Sequence, residues 1–145
     1  MAVTVDYYNP YFVSLVSALF DHSSGGSTLK AMLTTSAYTY SKLHDFRDDI
    51  TNEVVGTGYV AGGETITTPV VTQDDTNDQA DMDFDDIEWT GSTITARNAI
   101  LYKSVGSAAT DNLWCRINFG ADFSSSATTF RIEIDANGFQ SLEAA

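Results

Sequence analysis

The pattern of apolar and polar positions changes character near residue 29. Before it, Phe12, Leu15, Val16, Leu19 and Phe20 recur at i, i+3, i+4, i+7 and i+8, the spacing of one helix face. Asn9 is placed to cap this helix and Pro10 fits its first position. An amphipathic helix of about three turns is therefore expected, ending before Ser23-Ser24-Gly25-Gly26-Ser27, a turn or a short flexible joint.

After it the period becomes two. Leu29, Ala31 and Leu33 alternate with Lys30, Met32 and Thr34, as in a strand. A second short helix is expected over Phe46 to Val54, with Asp45 as cap, Asp48 and Asp49 in the first turn and Gly56 just past the end. The glycine-rich run from Gly56 to Gly63 reads as a loop. Further strands are expected at Thr65 to Gln73, Met82 to Trp89, Thr93 to Ser104, Leu113 to Phe119 and Thr129 to Ile134. Polar turns, among them Thr90-Gly91-Ser92 and Ala121 to Ala127, separate them. The fold class expected is mainly β: a single antiparallel sandwich or partly open barrel, with an N-terminal amphipathic helix and one short helix. Residues 1–28 are expected as an N-terminal helical arm and 29–145 as the β domain.

Composition narrows the function. The chain of 145 residues carries 20 Asp and Glu against 7 Lys and Arg, a formal net charge of -13. Seven scattered cations make no phosphate-tracking face, so neither nucleic acid nor an anionic membrane is an expected partner. No apolar run reaches the length of a spanning helix, and no basic region precedes Phe12 to Phe20 as in a signal peptide. A lone Cys115 allows no internal disulfide. Because Leu113, Cys115, Ile117 and Phe119 share the apolar register, a buried, inert thiol is expected.

Chemistry-bearing patterns are few. Eight acidic residues crowd the stretch from Asp74 to Glu88, and Asp81-Met82-Asp83-Phe84-Asp85-Asp86 imitates the start of a calcium loop. The imitation breaks where Asp86 stands in place of the turn glycine and Ser92 in place of the twelfth-position Glu. A solvated edge strand, charged against aggregation and bulged near Asp85-Asp86, explains the segment better. His44-Asp45-Phe46-Arg47-Asp48-Asp49 has the adjacency of an acid/base site, but a helix entry accounts for the same residues. There is no nucleophile elbow, phosphate loop or dinucleotide fingerprint. No catalytic residue, metal ligand or cofactor is expected, and the chain is not read as an enzyme. Tyr7, Tyr8, Tyr11 and Phe12 are the expected interface residues, because aromatics concentrate at contact hot spots. The competing reading is a helix lid packed on its own sheet.

Several spaced segments resemble a family of small structural proteins of tailed bacteriophages. They are Lys30-Ala31-Met32-Leu33, the run His44 to Val54, Gly56-Thr57-Gly58-Tyr59 with Gly62-Gly63, Phe84 to Trp89, Ile94 to Lys103 and Ile134 to Phe139. The resemblance covers about residues 29 to 139 and carries no functional residue. It implies a virion protein made in the host bacterial cytoplasm. The leading expectation is a capsid decoration or cement protein on the outside of the head, contacting the major capsid protein and copies of itself, as a homotrimer. The alternative is a tail- or fibre-associated protein facing a receptor.

Overall fold

The computed structural model describes residues 2–143. Ten elements follow one another: β1 (Thr4–Tyr7), α1 (Asn9–Val16), β2 (Leu29–Thr34), a 3-10 turn (Arg47–Asp49), β3 (Glu64–Thr65), β4 (Val70–Asp74), β5 (Gln79–Asp83), β6 (Ile87–Lys103), β7 (Leu113–Ile132) and β8 (Gln140–Glu143). Two antiparallel sheets result, β1-β7-β6-β2-β3 and β4-β5-β8, in a mainly β, sandwich-like arrangement with no closed barrel among the described residues.

The centre of the fold is the β6–β7 hairpin. Three strands expected from the sequence and the end of a fourth, Ile87 to Trp89, form two long ones, because the polar stretches between them are irregular pairing rather than turns, while Met82 and Asp83 belong to β5 in the other sheet. At Thr90-Gly91 the register slips between Trp89↔Phe130 and Ser92↔Thr128. At Ala121 the jump is larger: Asn98 pairs with Asn118 and Ala96 with Phe123, so Arg97 alone spans residues 119–122. Extra residues on one strand bend it and sharpen its twist without ending it. A further irregularity places Tyr102 opposite Leu113 and Leu101 opposite Cys115. Trp114 is the extra residue there, and it joins the same core cluster as Cys115 while Leu113 faces a second one.

Trp114 anchors the larger core. Its ring lies 4.4 Å from His22, 5.1 Å from Phe139, 6.0 Å from Phe20 and Phe84 and 6.1 Å from Tyr11, centroid to centroid. Its Nε1 donates to Gln140 Oε1 at 3.2 Å, and the Tyr11 hydroxyl donates to the same oxygen at 3.3 Å. One indole therefore ties β7, α1 and β8 together. Burying a ring of this size contributes roughly 5 kcal/mol of apolar transfer. The opposite face of the main sheet is covered by the segment after β2, where Tyr38, Tyr40 and Ile50 pack with Tyr8, Met32, Ile100, Tyr102 and Leu113.

Three expectations need correction. The helix over Phe46 to Val54 is only the 3-10 turn Arg47–Asp49, and Asp45 does not cap it. The Asp49 carboxylate accepts the backbone N–H of Asp45 at 3.0 Å and of Phe46 at 3.4 Å, which holds the chain in a tight turn. Beyond it the chain is extended, Glu53 bridging to Thr34. The acidic strand is not an edge: β5 lies between β4 and β8. No bulge occurs at Asp85-Asp86, where the chain crosses between the sheets, with Asp85 N–H on the Thr67 carbonyl and Asp86 Oδ1 accepting Ile134 N–H.

The N-terminal segment, expected as a helical arm, opens with a strand. β1 pairs with β7, Thr4 against Asn118 and Tyr7 against Cys115. α1 is shorter than its apolar periodicity suggests and starts after Tyr8, not Asn9, as cap. Beyond Ser17 the chain turns through Ala18 at φ 55°, which drops Phe20 into the core.

Candidate functional site

The early end of α1 decides which of its side chains reach solvent. Tyr11 and Ser14 point inward, whereas Phe12, Val13 and Val16 stand on the outer face, with Leu19 just beyond them. Val16 is 89% exposed and Val13 67%. The stripe Phe12, Val16, Leu19 that appears core-forming by spacing is thus a solvent-facing apolar patch. Such a cluster is a candidate contact surface rather than a cost without a return.

Of the four expected interface residues, two lie in the interior. Tyr8 and Tyr11 are fully buried, Tyr7 is half-buried and Phe12 is exposed. Tyr7 and Tyr11 stack at 5.8 Å, and Phe12 lies 5.5 Å from Tyr11. Tyr8 and Tyr11 act as the lid alternative requires, each with its hydroxyl satisfied, because a buried phenol costs free energy unless it finds a partner. Tyr8 bonds the Tyr38 hydroxyl at 2.9 Å, and Tyr11 bonds His22 Nε2 at 3.0 Å. Burial pushes the Tyr11 phenol, like that of Tyr8, well above the ordinary range. Only Phe12 is carried into the exposed patch, and Val13, Val16 and Leu19 join it. The signal that identifies them is the length of the helix, which periodicity alone does not give.

The histidines occupy different settings. His44 Nδ1 meets the Tyr38 hydroxyl at 3.0 Å, completing a chain from buried Tyr8 through Tyr38 to the surface. Its neighbouring carboxylate Asp49 is engaged by backbone instead. His22 is buried beside Trp114 and Phe20, with Nδ1 unpartnered. Burial lowers it to about 4, against a small opposing pull from Asp21.

The acidic residues are spent locally. Asp74 accepts from Thr76 and Asn77 N–H groups and from Asn77 Nδ2, which holds its carboxyl below the usual range. Asp81 accepts from Gln79 and Ser141, while Asp86 and Glu88 pair with Arg131. Among the described residues no three acidic, histidine or cysteine side chains come together as a cation site would require. Cys115 is fully buried, and burial raises its thiol well above the ordinary value, with Asp6 adding to the effect. No helix among the described residues is long and apolar enough to cross a membrane.

The chain matches no family model, no curated protein and no solved structure.

Proposed function

We propose that the chain is a bacteriophage virion structural protein, a capsid decoration or cement protein that binds the outside of the head and stabilises contacts between major capsid subunits. The observation that carries this reading furthest is the exposed apolar patch Phe12, Val13, Val16 and Leu19 on a chain of net charge -13. A protein of net charge -13 stays soluble and dispersed before assembly, since like-charged copies repel. A local apolar patch then supplies the contact energy that overcomes this repulsion at a matched partner surface. The resemblance of residues 29 to 139 to phage structural proteins points the same way.

The partners are the major capsid protein and copies of the same chain around a local three-fold axis. Particles purified without the protein provide the test, by adding back purified wild-type chain or the Val16→Asp variant and measuring the bound fraction by sedimentation. The wild-type chain is expected to bind in hundreds of copies per particle and to slow release of packaged DNA on heating. Val16→Asp, whose side chain is in solvent, is expected to fold normally and lose binding. A wild-type chain that stays in the supernatant, or that binds in only a few copies at the tail, overturns the reading.

A further inference from the structure

A second surface lies at the other end of β1. A groove of about 440 Å³ runs beside β7, lined by Val3, by Val5 of β1 and by Phe119, Phe123 and Phe130 of β7. Its other wall takes in every residue from Thr129 to Asp135, the last four of β7 and the three that follow it. Successive residues of a strand point to opposite faces. A groove that all of them reach therefore runs along the strand's edge, where the backbone is accessible.

That edge is open. β1 covers β7 only from Cys115 to Asn118, and β6 occupies its opposite side. From Phe119 to Ile132 the side of β7 away from β6 has no strand partner among the described residues. The register jump at residues 119–122 begins directly after Asn118, the last residue of β7 that pairs with β1. An unpaired row of N–H and C=O groups beside an apolar trough is the arrangement that accepts an added strand: main-chain bonds hold it and alternate side chains fill the trough.

Charge selects the occupant. All four arginines are already paired, Arg47 with Asp111, Arg97 with Asp122, Arg116 with Asp6 and Arg131 with Asp86 and Glu88. The cation on the groove, Arg131, is thus committed, while Glu133 and Asp135 stand on the same wall. A second copy would bring another net charge of -13 to this rim. A cationic segment would be drawn to it.

We propose that the free edge of β7 takes up an extended segment of another protein as an added strand, with apolar side chains at alternate positions and lysine or arginine at its ends. This goes beyond the virion reading and requires neither a capsid nor the α1 patch.

The test uses the full chain and a synthetic probe, the acetylated and amidated peptide Lys-Val-Thr-Val-Thr-Val-Lys, at low salt. Binding is followed by amide chemical-shift changes. The expected result is saturable binding with shifts confined to residues 2–5 and 119–135. Replacing both lysines of the peptide by glutamate is expected to weaken binding by more than about tenfold. Methylating its backbone nitrogens on the face that pairs is expected to do the same. Phe123→Asp places a charge in the trough at a residue that is half in solvent, so folding survives and binding is lost. Val16→Asp on α1 is expected to bind the peptide as wild type does, which separates this edge from the α1 surface.

Absence of binding, equal binding of the acidic peptide, or shifts outside β7 and its groove overturn the proposal. So does concentration-dependent self-association of the chain that Phe123→Asp abolishes, because the edge would then belong to a second copy.

Discussion

The Arg47 guanidinium Nε donates to Asp111 Oδ2 at 2.8 Å, and Asp111 itself is almost wholly buried, its side chain 1% exposed. The other carboxylate oxygen accepts the N–H groups of Val105 at 2.7 Å and Gly106 at 3.2 Å. One carboxylate thereby fixes the β6–β7 connection and pins the 3-10 turn against it. Burial alone would raise the Asp111 carboxyl, but the backbone donors and Arg47 outweigh it and hold it below the usual range. Asp111→Ala is expected to leave three donors unanswered and lower unfolding free energy by about 3 kcal/mol. Urea unfolding at neutral pH measures it, and a loss under about 1 kcal/mol would contradict the role.

His22 sets the response to mild acid. Its folded value of about 4 lies below the ordinary value of 6.5, so between these limits the unfolded chain binds a proton that the folded chain refuses. Stability is then full above about pH 6.5 and falls as pH drops toward 4, by up to about 3 kcal/mol. Asp111 and the other depressed carboxylates act in the same direction only below their ordinary range, and Asp45, raised by burial and by Asp49, opposes the fall at the acid end of the window. His22→Phe keeps a ring against Trp114 and is expected to flatten the stability profile between pH 4.5 and 6.5. A profile as steep as that of wild type would show that another group titrates there.

Gly63 sits at φ 69°, and a Cβ there would meet the Ala31 carbonyl oxygen at 1.8 Å. Because β2 backbone cannot yield, Gly63→Ala is expected to separate β3 from β2 and cost at least about 3 kcal/mol. Gly91, at φ 60° with open space around it, isolates the conformational part of that cost. Gly91→Ala is expected to cost only about 1 kcal/mol. Thermal melts of the two variants side by side separate clash from backbone strain.

Cys115 is expected to react with a thiol reagent only when the protein opens. The thiol is fully buried and raised well above its ordinary value, and the thiolate is the reactive species. Labelling in native buffer is expected to follow the unfolding rate, becoming immediate in strong denaturant. Prompt labelling in native buffer would place β7 elsewhere than in the core.

The alternation of Cys115 and Ile117, and of Phe130 and Ile132, was legible because those residues pair regularly and bury one face, whereas Leu113, expected in the same register, is turned to the opposite core by the extra residue Trp114. The continuity of β6 and β7 was not, since Thr90-Gly91 and residues 119–122 have turn composition while serving as pairing irregularities. Only the partner strand reveals such a difference. The inward turn of Tyr11 in place of Phe12 and Val16 was also hidden. It depends on hydroxyl partners, Gln140 and His22, one of them far along the chain. The short Arg47–Asp49 turn replaced a longer helix because Asp49 satisfies the N–H groups of its own entry, and β5 became central because β8, unmarked by any strong apolar alternation, pairs with it.

The proposed virion role is tested most directly by labelling intact particles with an antibody against the chain and imaging them by electron microscopy. Label distributed over the head surface is the result this account expects. Label confined to the tail, or none on the particle, would contradict it.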